Sequence, residues 1–134
     1  MAHLVMIVVL ATGQLNPLTH TGSLSEGLRS PARIAIAPDG TVLVTDPSEN
    51  HIARFQEDGT PLSAWEVPEG PIGIAVHPDG RYFVSRRDDA QVAIYIDSGG
   101  VFTFQGLLED PAVTFIRPTD LAIDYPASGD IANF

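Results

Sequence analysis

Two short stretches of the chain concentrate side chains that could do chemistry. One is Asn50-His51 and the other is Arg86-Arg87-Asp88-Asp89. Arginine presents a planar fork that grips carboxylates and phosphates. Aspartate supplies oxygens for hard cations, and histidine can carry protons or ligate metals. Single groups of this kind do not make a site. Asp88-Asp89 alone is not a calcium cage, which needs several oxygens converging on one point. Ser48 and Ser85 have no base nearby in sequence, and there is no nucleophile elbow, phosphate-cradling glycine loop or paired-carboxylate motif. There are no cysteines, so thiol nucleophiles, disulfides, zinc ribbons and iron–sulfur clusters are excluded.

What could assemble these residues is an internal repeat. Pro38-Asp39-Gly40 returns as Pro78-Asp79-Gly80, an offset of 78 − 38 = 40 residues. The same offset carries Pro31 onto Pro71, Ile34-Ala35-Ile36 onto Ile74-Ala75-Val76, and Val44 onto Val84. It also carries Ile52-Ala53 onto Val92-Ala93 and Phe55 onto Tyr95, with no gap from Pro31 to Gln105. A third copy opens at Arg117-Pro118-Thr119-Asp120-Leu121-Ala122-Ile123, after seven extra residues (118 − 71 = 47, against 40).

Each unit divides into short strands. In the first they fall at about residues 33–37, 41–45, 51–56 and 61–66. Asp39-Gly40, Asp58-Gly59, Asp79-Gly80 and Gly99-Gly100 are tight-turn dipeptides in which glycine takes positive φ. Hairpins in series give an up-and-down antiparallel sheet. The polar stretch from Thr45 to Asn50 is a longer loop between the second and third strands. A four-stranded unit repeating every ~40 residues has the period of a propeller blade. A β-sandwich does not predict so regular a repeat. Ile34-Ala35-Ile36 is apolar on both faces, as an innermost strand near an axis requires. Ala35, Ala75 and Ala122 occupy one register position and leave room for such strands to crowd together.

In this arrangement the residues that lead into each inner strand share one face with the loops joining second and third strands. Arg33, Gly73 and Asp120 are equivalent positions in the three copies. Asn50, His51, Arg86, Arg87, Asp88 and Asp89 lie in the loops beside them. The candidate ligand-binding face is therefore Arg33, Asn50, His51, Arg86, Arg87, Asp88 and Asp120, suited to a polar ligand or an acidic peptide. Solvated loop charge is the plain alternative. Trp65, late in the fourth strand, reads as outer-edge core rather than a stacking platform.

Charge narrows the partners. Net charge is −10 and all seven basic residues are arginine. Such a chain repels phosphate backbones and anionic membrane surfaces, so nucleic acid is not an expected partner. The apolar run Leu4–Ala11 is too short to span a bilayer. It reads as the remnant of a signal peptide or as a buried strand.

The units resemble NHL repeats. The resemblance rests on Pro31-Ala32-Arg33-Ile34-Ala35-Ile36-Ala37-Pro38-Asp39-Gly40-Thr41-Val42-Leu43-Val44-Thr45-Asp46 followed by Asn50-His51-Ile52-Ala53-Arg54-Phe55. The second unit keeps Gly73-Ile74-Ala75-Val76 and Val92-Ala93-Ile94-Tyr95. It departs at Arg86, where the family ends the strand in Asp. Arg33 and Asp120 also stand where the family usually has Gly. The third unit carries Leu121-Ala122-Ile123-Asp124 and Gly129-Asp130-Ile131. WD40 blades are not indicated, because no strand ends in Trp-Asp.

The resemblance implies an all-β fold, an NHL-type β-propeller fragment of four-stranded antiparallel blades. The expected organisation is an N-terminal apolar segment and linker over 1–27, a blade over 28–67 and a second over 68–107. A connecting insertion over 108–116 and a partial third blade over 117–134 follow. NHL propellers usually close with about six blades, so a fragment of a longer extracytoplasmic or secreted protein is expected, with a cytoplasmic location left open. The expected role is a non-catalytic binding or scaffolding surface for a protein or small polar ligand, with no cofactor and no metal. Open blade edges would also permit self-association. The alternative is a fragment of a metal-dependent propeller enzyme, amidating-lyase-like or lactonase-like. Some such lyases hold a metal on the axis with histidines and acids from several blades. His77 would be the candidate here, but its equivalents are Ala37 and Asp124, so a packing histidine is the better reading.

Overall fold

A computed structural model describes residues 18–124. The expectations for Leu4–Ala11 and for Gly129-Asp130-Ile131 fall outside the described residues. Eight strands form among those described: β1 (Arg33–Ile36), β2 (Val42–Asp46), β3 (His51–Phe55), β4 (Pro61–Glu66), β5 (Pro71–Val76), β6 (Arg81–Arg86), β7 (Gln91–Ser98) and β8 (Val101–Leu107). They build two four-stranded antiparallel sheets in sequential order, β1-β2-β3-β4 and β5-β6-β7-β8. No described residue is helical, so no helix long and apolar enough to cross a membrane occurs among them.

The repeat is reproduced in the pairing. Ile34 faces Val44 in the first sheet and Ile74 faces Val84 in the second. Thr45 faces Ile52, and Ser85 faces Val92. The turn glycines Gly40 and Gly80 share a left-handed φ of 87° and 93°. That region is closed to most other residues and sets the tight reversal between first and second strands. Asn50 and Ala90, equivalent residues that end the second-to-third-strand loop, also share positive φ, 51° and 56°.

The sheets stack face to face because neither can bury both apolar faces alone. Leu43, Ile52, Trp65 and Val67 of the first blade meet Ile74, Tyr82, Val84, Ala93 and Tyr95 of the second in one core. Trp65 is its centrepiece. Its ring stacks on Phe102 at 4.0 Å between centroids and 2° between planes, and it meets Tyr82 edge-on at 5.4 Å. Phe102 in turn stacks on Tyr95 at 4.5 Å. Arg54 lies over the other side of the indole, 4.2 Å from its centroid. Trp65 is thus core, as its place in the fourth strand implied, and it works between blades.

The opposite face of the first blade, Val42, Val44, Ala53 and Phe55, is covered by Leu24 and Leu28. Residues 21–27 stand in the register of β4, forty positions earlier, with Ser23 aligned on Ser63 and Glu26 on Glu66. In that register Leu24 and Leu28 align on Ala64 and Pro68, beside Trp65 and Val67, and they cover the first blade from a neighbouring place. The stretch read as linker has a packing role.

Residues 117–124, expected to open a third blade, carry no strand. A strand requires a ladder partner for its backbone groups, and the expected partner lies at Gly129–Ile131, outside the described residues. This segment is laid against the second blade, with the Asp120 backbone over Gly73. Ile34 and Ile36 in β1 remain 45% and 58% exposed. That is high for an inner strand, and both side chains lie on the face they share with Val42 and Val44, turned away from the second blade.

Replacing Trp65 should reveal how much the stacking contributes. W65A is expected to lose about 3–5 kcal/mol, a large share of a domain's stability. W65F should lose less, since it keeps ring stacking and removes an indole N–H that has no hydrogen-bond partner. Urea denaturation followed by circular dichroism would measure both.

Candidate functional site

The two loops that join second to third strands, residues 47–50 and 87–90, lie at the same end of the blades as the lead-ins to β1 and β5. Register places them there: Arg33 pairs with Thr45, Asp46 with His51, and Pro71 with Arg86. Hydroxyls at equivalent positions tie this end together. Thr45 Oγ1 accepts from the Arg33 amide at 3.0 Å and donates to the Ile72 carbonyl at 2.6 Å, across the blade boundary. Ser85 Oγ accepts from the Gly73 amide at 2.7 Å and is fully buried.

Gly73 is where this end depends on the absence of a side chain. A Cβ there would lie 2.6 Å from Ser85 Oγ and 2.9 Å from the Cα of Asp120. The chain leading into the third unit therefore passes directly over Gly73. Its Asp120 carboxylate pairs with Arg33 Nε at 3.3 Å. The three equivalent lead-in positions, Arg33, Gly73 and Asp120, meet at one point.

Beside it is an open cleft of about 560 Å³ lined by Ile72, Arg87, Asp88, Arg117, Pro118 and Thr119. Arg87 Nε holds Asp88 Oδ1 at 2.8 Å, with both side chains about half exposed. The Asp88 carboxylate is also seated against the backbone of Gly70, where a Cβ would come within 3.0 Å of Oδ2. Arg117 makes no ion pair with a described residue, and its side chain is exposed.

Of the seven candidate residues, Arg33 and Asp120 come together, and Arg87 and Asp88 line the neighbouring cleft. The other three have structural roles. Asn50 accepts from the Gly70 amide at 2.9 Å through Oδ1, and its carbonyl accepts from Val67. It pins the connection between the blades. Arg86 pairs with Asp89 through a side chain only 11% exposed and reaches the Tyr95 hydroxyl. His51 opens β3 between Asp46 and Glu66, with Nε2 buried and without a hydrogen-bond partner. Arg117, Thr119 and Ile72 were missed by sequence reasoning. Arg117 and Thr119 stand in the opening motif of the third copy, which was the available signal.

Asp46, the strand-ending acid of the first unit, is fully buried. Burial pushes its carboxyl pKa up. The amides of Arg29 and Ser30, at 2.5 and 3.0 Å, and the Ser48 hydroxyl at 2.7 Å outweigh this and hold it below the ordinary value. It anchors the chain entering the first blade. At the equivalent place in the second blade Arg86 cannot accept these amides, and its pairing with Asp89 replaces them.

Among the described residues no three His, Asp or Glu side chains converge. His77 is buried at the far end of β5, with Nδ1 2.7 Å from Asp79 Oδ1 in the adjoining turn.

Residues 28–51 match the NHL repeat, the stretch from the lead-in of the first blade to the start of β3. With the paired four-stranded sheets, that match makes the described residues an all-β, propeller-type fragment carrying an NHL repeat. They make two blades. The chain is 41% identical over 69 residues to the virginiamycin B lyase of Nocardia farcinica, which takes in 49% of this chain and 24% of that protein. Among solved structures, a functionally unknown protein from Desulfotomaculum acetoxidans superposes with a TM-score of 0.58 at 25% identity, over 84% of this chain and 37% of that one. A proposed gluconolactonase gives 0.55 at 26% identity, over 68% and 38%. A catalytically inactive virginiamycin B lyase from Staphylococcus aureus, solved with quinupristin, gives 0.50 at 19% identity, over 79% and 35%. The chain thus spans about a quarter of the lyase it matches in sequence, and little more than a third of these structures.

Two outcomes test this end of the blades. G73A should lose about 1–3 kcal/mol and speed amide exchange in residues 117–120. S85A added to it should not restore the loss, because the Asp120 backbone still blocks the methyl group. For Asp46 the sign follows from a folded pKa below the unfolded one. Its stabilisation is full above the unfolded value, about pH 4, and is lost as pH falls through the folded value. D46N should therefore cost about 1–3 kcal/mol at pH 7, with the gap to the unmodified chain closing as pH drops below about 4. Urea titrations at pH 7 and pH 3 would measure it.

Proposed function

We propose that these blades serve as a non-catalytic ligand-binding surface of a larger propeller, acting through the end where the inner-strand lead-ins meet the second-to-third-strand loops. The observation that carries this reading is the cleft lined by Arg87, Asp88, Arg117 and Thr119, formed jointly by two consecutive units. Apolar Ile72 and Pro118 complete it. Concave sites that mix a little apolar surface with a few converging polar groups are where small ligands bind. Loops on a rigid sheet scaffold are where binding residues concentrate.

A second reading is that the chain is part of a propeller enzyme acting on a cyclic peptide lactone or sugar lactone. It is favoured by the 41% identity to a virginiamycin B lyase. Fold likeness by itself does not carry activity from one propeller to another.

Amide shift mapping of the chain with a neutral sugar, an amine and an organic acid separates the two when paired with a quinupristin assay. The binding reading expects shifts confined to residues 45–51, 71–73, 85–91 and 117–120, and no loss of quinupristin by chromatography. Shifts centred elsewhere, or none with any probe, would overturn it. Consumption of quinupristin would favour the enzyme reading.

A further inference from the structure

The proposed binding end has a charge arithmetic of its own. The protein carries a net charge of −10, yet the acids that border the cleft are each matched to an arginine. Asp120 is held by Arg33, Asp88 by Arg87 and Asp89 by Arg86. Arg117, on the cleft wall, has no such acid among the described residues. The cleft therefore holds one surplus positive charge in an otherwise acidic molecule.

A surplus guanidinium beside a second one, in a partly desolvated pocket, is a carboxylate or phosphate receptor. The second guanidinium, Arg87, already grips a carboxylate, that of Asp88. That intramolecular acid demonstrates which chemistry the position accepts, and it competes for it. The Thr119 hydroxyl can donate to the same oxyanion. Ile72 and Pro118 supply apolar surface for the body that carries it.

We infer that this cleft takes a small organic oxyanion, a carboxylate or a phosphate ester on a partly apolar body, gripped by Arg117 and Arg87 with Asp88 as the acid it displaces. This rests on the binding reading above. Carboxylate and phosphate present the same chemistry to two guanidiniums, so separate probes distinguish them.

The test titrates the full chain with benzoate, phenyl phosphate and neutral benzamide at constant ionic strength of ~0.1 M. The arginine Nε–H resonances are followed by NMR. Saturable shifts of the Arg87 and Arg117 signals are expected with one or both anions and not with benzamide. R117Q and R87Q should each weaken binding about tenfold. D88N should tighten it several-fold by freeing Arg87. E57Q, the same charge change on an exposed turn at the opposite end of the first blade, should leave it unaltered.

The inference fails if D88N and E57Q act alike, because the effect is then only overall charge. It also fails if benzamide binds as well as benzoate. Shifts at this end with a sugar or amine but with neither anion would overturn the oxyanion while leaving the binding reading in place. Silence from every probe would remove both.

Discussion

A four-stranded sheet of this composition has two apolar faces and can bury only one against anything it contains itself. Every larger feature follows from that. The sheets must stack, and the stack must be filled where flat, twisted surfaces diverge toward their outer edges. Trp65 fills the widest part, sandwiched between Arg54 and Phe102 and meeting Tyr82 edge-on. Near the axis the demand reverses. There the inner strands crowd, and the residues are Ala35, Ala75 and Gly73. The blade is wedge-shaped because its side chains are.

The same requirement explains the two ends of the described region. Val42, Val44, Ala53 and Phe55 would be a solvent-facing apolar surface were Leu24 and Leu28 not folded over them. The segment that does this stands in the register of a fourth strand, so the repeat begins before its first complete unit. On the far side, the segment that carries Asp120 lies over Gly73. The Thr45 hydroxyl couples the first blade to the second through the Ile72 carbonyl, while Ser85 at the equivalent position ties Gly73 within the second blade.

Fold was legible in the sequence to the residue in places. The strands read at 51–56 and 61–66 form over His51–Phe55 and Pro61–Glu66. Turn glycines and alternating apolar residues are local signals, and the repeat doubles each of them. The packing of Leu24 and Leu28 was not legible, because the stretch from Gly22 to Gly27 lacks the β-branched and aromatic residues that mark a strand. The site was legible as a face and not as a set of roles. Register put Arg33, Gly73 and Asp120 at equivalent positions, and the structure brings the three together. It could not tell that Asn50 would spend its side chain on the Gly70 amide or that Arg86 would be consumed by Asp89. Those are choices among partners within reach, settled by loop geometry that sequence spacing does not encode.

The departures from the repeat's own pattern border the cleft. The family ends its second strand in an acid. The first blade obeys, and the acid there is buried under the incoming chain as an anchor. The second blade puts Arg86 in that place and follows it with Arg87-Asp88-Asp89. An arginine cannot accept the backbone amides, so the anchor is lost. The loop instead becomes a paired series of charges bordering the cleft. Likewise Arg33 and Asp120 stand where glycine is usual, and they form an ion pair over the one glycine that is kept. If glycine stood at all three positions, this end of the blades would be bare backbone. Substitution at two of them, with Gly73 spared because no side chain fits, converts a structural seam into a charged rim. The constraint that forces close packing at the axis thus also decides which positions are free to carry function.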